Sequence, residues 1–216
     1  MEQKIQLTKN IFDEIYKNSL WGSKNGISTS GRGSHAPEFV TPYCEQMSDF
    51  LKKFINPKIL DLGCGDFNIG QKLIKENHNW IAYDISDVII TRNKKYFDKS
   101  NLTFASLDFC EHELPNADIA FVRQVFQHLE NEKILSFVKK LNAKKNIEYL
   151  IVTEHIPFGE FTPNIDKPTD HNVRLQFNSG VVLDAAPFNL EFTLKEDVLK
   201  IKTGNSIVQS TIYKIK

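Results

Sequence analysis

The residues with the clearest chemical potential lie in ILDLGCGDFNIG, residues 59–70. A β-rich run ends at Asp61, Gly63 and Gly65 follow with Cys64 between them, and a helix is predicted from Ile69. Two glycines at that point let the backbone turn sharply and approach a ligand closely. A loop built to cradle a diphosphate carries a third glycine three residues after the second. That place is held by Asn68. Asp61 would repel a diphosphate and attract an ammonium or a sulfonium, so the ligand inferred here is cationic at that end.

Two further acids follow at the ends of the next predicted strands. Asp84, with Ile85 beside it, comes 19 residues after Gly65, where a carboxylate can take both hydroxyls of a ribose. Asp108 precedes Phe109, a carboxylate that can accept from an exocyclic amine next to a ring that can stack on adenine. A single Asp at a strand end is ordinarily a helix cap or a solvated loop residue. A glycine turn and two such acids, on three successive strand ends, mark the crevice where open α/β sheets bind ligands.

Proton-transfer candidates are histidines. His155 in VTEHIP follows the fifth predicted strand, with Glu154 adjacent; it reads either as a general base or as a loop cap. His128 in FQHLE reads as a second catalytic candidate or as a packing residue. His171 lies in a late insertion, and His35, His78 and His112 read as solvated or loop residues. Glu111–His112–Glu113 and Asp166, Asp170 and His171 offer metal-binding atom types without a metal-site spacing, and the three cysteines include no close pair, so no metal is assigned.

These residues need a scaffold that alternates strand and helix. Apolar spacing predicts a helix over 8–18, a Gly/Ser-rich loop over 21–37, and a helix over 38–54 stopped by Pro57. Strands are predicted over 58–62, 80–83, 102–107, 119–122 and 149–153, with helices over 69–76, 87–97 and 131–141. Helical crossovers between strands mean an α/β, doubly wound, mostly parallel sheet buried on both faces. Residues 156–190, with four prolines, form an insertion after strand 5, and the alternating tail around Gly204–Asn205 reads as antiparallel C-terminal strands. We read a single domain over 1–216. Residues 1–55 form an N-terminal helical cap with its loop, 56–155 a ligand-binding core, 156–190 a substrate cover and 191–216 the closing strands.

Length and composition narrow the setting. A chain of 216 residues can bury about 70% of its unfolded surface, enough for one core without disulfides. Lys+Arg and Asp+Glu are 27 each, a balance that disfavours a nucleic-acid partner. Sparse, odd cysteines (Cys44, Cys64, Cys110) point to a reducing cytoplasm. The absence of a long apolar run and of an apolar N-terminal region predicts no membrane insertion and no secretory signal. Lys is the default cation and Arg is confined to Arg32, Arg92, Arg123 and Arg174, so these arginines mark places where a planar fork is useful.

Over residues 55–155 the chain resembles class I S-adenosylmethionine-dependent methyltransferases, with Asp61, Gly63 and Gly65 as the specific match. The resemblance implies a seven-stranded Rossmann-like sheet. It also implies S-adenosylmethionine as cofactor, with Asp61, Gly63, Cys64 and Gly65 at the methionine end, Asp84 and Ile85 at the ribose, and Asp108 with Phe109 at the adenine. DIAFVRQVFQHL looks like the family's next motif and places Arg123 and Gln124 against the cofactor. WGS…SGRGS, TEHIP, PNIDK and RLQFNSGV resemble methyltransferases of bacterial surface-polysaccharide biosynthesis, some of which O-methylate sugars or a capsular phosphoramidate. The usual Pro of that group's SGPGS loop is Arg32 here, which we place near the cofactor.

Substrate recognition then falls to 21–35 and 156–190. Lys167 and Arg174 read as anion contacts, with Asn164, Asp166 and Ser179 as hydrogen-bonding partners, for a small polar or anionic acceptor; ordinary surface polarity is the other reading. The leading function is an O-directed methyltransferase. An RNA or protein acceptor, a non-catalytic cofactor-binding domain and a nicotinamide enzyme are the alternatives.

Overall fold

The structure is a computed structural model and describes residues 2–215. The chain forms two compact units, residues 1–108 and 109–216.

In the first unit, α1 (Glu2–Lys17) buries Thr8, Phe12, Ile15 and Tyr16. It starts earlier than the predicted 8–18 because its first two turns are solvated, with Leu7 exposed. Within the predicted loop 21–37, β1 (Ser23–Lys24) and β2 (Ile27–Ser28) make a minimal antiparallel hairpin. Asn25 and Gly26 supply its turn at φ 53° and 74°, the conformation a two-residue hairpin loop requires. A single helical turn, α2 (Arg32–His35), leads into α3 (Pro37–Leu51). Pro37 opens α3 with its φ already helical. Phe39, Val40, Tyr43, Met47, Phe50 and Leu51 form its buried face.

The parallel ladder follows. β3 (Lys58–Leu62) pairs with β4 (Asn79–Asp84), which pairs with β5 (Leu102–Ser106). The helix expected over 69–76 contracts to α4 (Gly70–Leu73). The chain before it is anchored by Phe67, fully buried among Trp80, Phe97 and Phe104 at φ 59°. The Oγ of Ser86 caps α5 (Asp87–Tyr96) by accepting from Ile89 N.

In the second unit, β6 (Ala117–Arg123) runs parallel to β7 (Ile147–Pro157). A short 3-10 turn (Phe126–His128) and α6 (Asn131–Lys144) connect them. β8 (Leu194–Thr203) and β9 (Ser206–Lys214) are antiparallel, and β9 pairs with β7 from Tyr149↔Lys214 to Pro157↔Ser206. That pairing carries β7 four residues past the predicted end, so His155 lies inside the strand opposite Val208. β3 to β9 belong to one seven-stranded mixed sheet, mostly parallel with antiparallel C-terminal strands, as the α/β, doubly wound prediction required. Among the described residues no helix is long and apolar enough to cross a membrane.

Candidate active site

The glycine turn is pinned on both sides. Gly63 N and Cys64 N both donate to Tyr83 O, at 2.8 and 2.9 Å. Gly65 N donates to Asp84 Oδ2 at 3.0 Å, and Asn93 Nδ2 on α5 donates to Gly65 O at 2.7 Å. Gly63 and Gly65 sit at φ 76° and 53°. At Gly65 a side chain is excluded twice, because a Cβ would collide with Ser30 Oγ and stand 3.1 Å from Tyr16 Oη. Hydrogen bonds and close packing thus define the backbone of the turn.

Its electrostatics are negative. Burial raises the Cys64 thiol well above its ordinary pKa, and the carboxylates of Asp84, Asp61 and Asp66 raise it further. Asp84 is buried, and desolvation lifts it to about 6 against the pull of the backbone N–H groups of Ser86, Gly65 and Ile85. Its two oxygens accept from Gly65 N and from Ser86 N at 2.9 Å. A carboxylate has about four acceptor positions, so these backbone donors leave capacity for a hydroxyl donor. Asp61 is half-buried on β3, Ile85 half-exposed between Asp84 and Ser86, and Asp108 buried.

Other residues expected beside the cofactor have partners that their sequence positions did not suggest. Arg32 is exposed, ion-paired with Glu38 at 2.5 Å and lying 5.1 Å over the Phe39 ring. The start of α3 thus holds its guanidinium. Phe109 is buried, its ring edge-on to Phe137 and Phe126 at 5.5 and 6.0 Å. Arg123 Nη1 donates to Gln124 Oε1 at 3.0 Å. Gln124 holds φ 55° and donates its N–H to Thr153 O, a left-handed residue at a strand end of the kind that clusters at functional sites.

The two histidine candidates differ. His128 is buried with its pKa pulled down to about 4, chiefly by desolvation. Its Nδ1 faces Asn172 O at 3.1 Å and must donate there, so Nε2 accepts from Gln127 Nε2 at 3.2 Å. With both nitrogens committed, His128 braces the insertion and is poorly placed to move a proton. His155 is half-buried and its pKa is lowered by desolvation. Ser206 Oγ gives its proton to Thr203 O at 2.8 Å and accepts from His155 Nε2 at 2.7 Å. This leaves Nδ1 as the basic nitrogen.

Glu154, adjacent in β7, is buried and raised to about 8 by desolvation, against the lowering effect of Arg174 and of the turn amides. Oε1 accepts from Phe126 N at 3.2 Å, while Oε2 has no hydrogen-bond partner among the described residues. Nothing in the sequence around Glu154 signals this burial, since a glutamate beside a strand end is ordinarily a solvated or loop-capping residue.

The expected substrate contacts turn inward. Arg174 is fully buried and donates to Leu129 O and Ile165 O. Lys167 Nζ is buried between Pro168 O, Asp170 and His128 O. Asn164 ties Val182 and Ala186 together, and Ser179 Oγ accepts from Ile165 N. An insertion without strand partners of its own satisfies buried carbonyls with its cations and amides. These four residues thus knit the segment together instead of presenting themselves at a surface. Among the described residues no group of three or more His, Cys, Asp or Glu side chains is arranged to hold a metal ion.

Residues 59–144, from β3 to the end of α6, match the methyltransferase domain family. No curated protein matches the chain. The fold is similar to that of N-methyltransferase NodS from Bradyrhizobium japonicum WM9 in complex with S-adenosyl-L-homocysteine. Identity is 12%, coverage is 94% of this chain and 100% of that chain, and the TM-score is 0.64. It is also similar to the N-terminal domain of EvdMO1 in the presence of S-adenosyl-L-homocysteine and D-fucose, at 12% identity, 94% and 96% coverage and a TM-score of 0.59. Human N-acetylserotonin methyltransferase in complex with S-adenosylmethionine shares the fold at 13% identity, 96% and 59% coverage and a TM-score of 0.59.

Proposed function

We propose that this chain is an S-adenosylmethionine-dependent methyltransferase that methylates an oxygen of a small polar acceptor. The observation that carries this reading is the hydrogen-bonded glycine turn, tied to Asp84 through Gly65 N and set among the carboxylates of Asp61, Asp66 and Asp84, whose charge raises the Cys64 thiol. Those carboxylates fit a sulfonium and an ammonium, and they oppose a diphosphate. Asp61 and the turn would hold the methionine end, Asp84 the ribose and Asp108 the adenine. The bound cofactor supplies a methyl group already activated by its positive sulfur. The protein's contribution is then to align the acceptor and, for a hydroxyl, to remove its proton.

His155 is the base in this reading, since its neutral imidazole keeps Nδ1 basic. A sugar, nucleotide-sugar or phosphoramidate intermediate of surface-polysaccharide biosynthesis is the acceptor we favour. Its support is the resemblance at TEHIP, PNIDK and RLQFNSGV, together with a fold neighbour crystallised with D-fucose. Three free cysteines and balanced charge suit a cytoplasmic enzyme without a nucleic-acid partner. The test is methyl transfer from labelled S-adenosylmethionine to nucleotide-sugars, free sugars and phosphoramidates. Label in one of these supports the reading; label in RNA or protein alone overturns it.

A further inference from the structure

The segment from Trp21 to Ala36 contains no buried residue. Trp21 packs against Phe12 and Tyr16 at 6.0 and 5.6 Å, and beyond that ring the attachment of the segment is largely polar. Those attachments converge on Asp66, the residue directly after the glycine turn. Asp66 Oδ2 accepts from Ser30 N at 2.8 Å and from His35 Nε2 at 2.5 Å. In the reverse direction, Asp66 N donates to Ser30 Oγ at 2.8 Å, and Ser30 Oγ bonds Tyr16 Oη at 3.0 Å. Oδ1 is turned to its own loop and accepts from Asn68 N at 3.1 Å, while Asn68 Nδ2 donates to Ser34 O at 2.6 Å. Arg92 Nη1 adds a tether to Ser28 O.

We propose that Asp66 is a positioning residue that locks residues 28–35 onto the glycine turn, and that this lock sets how tightly the methyl donor is held. The second half of the proposal rests on the functional reading above. The physical link is Ser30. Its Oγ occupies the space that a side chain at residue 65 would need, so a docked strap and the Gly65 backbone conformation support each other. Two elements that stabilise one conformation of a shared part are coupled, and the coupling is reciprocal. The carboxylate suits the task because it is buried, where losing its donors would leave an uncompensated charge. The hydrogen bonds from His35, Ser30 and Asn68 outweigh burial and hold its pKa below the ordinary value.

The test is limited trypsin digestion of the full chain together with calorimetry of S-adenosylhomocysteine, on wild type, Asp66→Asn and His35→Ala. Lys24 and Arg32 are trypsin sites on or next to the strap. Asp66→Asn is expected to raise cleavage there and to weaken S-adenosylhomocysteine by roughly tenfold, within the usual range of coupling. His35→Ala removes one tether from the strap side without touching the core, and should move both readouts the same way by less. Bound S-adenosylhomocysteine should protect these sites in wild type. Wild-type cleavage rates in both variants overturn the lock, and faster cleavage with unchanged affinity overturns its link to the donor. If wild type fails to bind S-adenosylhomocysteine, the functional reading falls with that link, while the digestion still decides the lock.

Discussion

Asp84 accepts the backbone N–H of Gly65 at 3.0 Å, so the acid expected to hold a ribose also fixes the turn expected to hold the methionine end. One side chain on β4 thereby serves two parts of the proposed cofactor site. Its burial lifts its pKa to about 6.

That value predicts an acid-sensitive affinity. Above pH 6 the carboxylate is charged and accepts hydroxyl donors; below it, protonation removes acceptor capacity. Between pH 7 and pH 5 the Kd for S-adenosylhomocysteine should rise by about tenfold, as linkage to one proton requires. Asp84→Asn should bind more weakly and lose this pH step, as measured by calorimetry at each pH.

His155 should act in its neutral form. Desolvation lowers its pKa, so the acid limb of kcat/KM should fall below the ordinary histidine range near 6.5. With a hydroxyl acceptor, His155→Ala should reduce kcat by about 10²-fold or more. With an acceptor oxygen that is already anionic, it should leave turnover nearly intact. His128→Gln should change stability more than the pH profile, since both its nitrogens are engaged.

Glu154 makes a prediction about stability. Its folded pKa of about 8 lies above the ordinary carboxylate value. The folded state therefore holds a proton that the unfolded chain releases, and stability from this group is full below about pH 4.5 and is lost as pH rises towards 8. Glu154→Gln imitates the protonated form. It should flatten this decline and raise the melting temperature most clearly above pH 8, by on the order of 1–3 kcal/mol in stability. Thermal melts across pH 5–9 check it.

Local chemistry made part of this legible in the sequence. Asp61, Gly63 and Gly65 announce a strand-to-turn junction because glycine adopts positive φ without strain and lets the backbone approach a ligand closely. The alternation of apolar runs with crossover helices implies the parallel sheet. What sequence spacing could not convey is who meets whom across the fold. His35 and Ser30 lie 31 and 36 residues from Asp66, and no local pattern links them. Lys167 and Arg174 look like surface cations because charge normally stays solvated, yet the insertion buries them to satisfy carbonyls left without strand partners. The sequence places His155 just past the end of a strand, because β9, which extends β7 beyond it, is encoded some 50 residues later. The Asn25–Gly26 hairpin was the one missed feature with a local signal, hidden by the surrounding serines and glycines.

The sharpest single measurement is titration calorimetry of purified wild-type protein and Asp61→Asn with S-adenosylmethionine, S-adenosylhomocysteine and a nicotinamide dinucleotide. Both adenosyl compounds should bind saturably and in preference to the dinucleotide, and neutralising Asp61 should cost the sulfonium more than the thioether. Tighter binding of the dinucleotide, or no heat from either adenosyl compound, would contradict the proposed function.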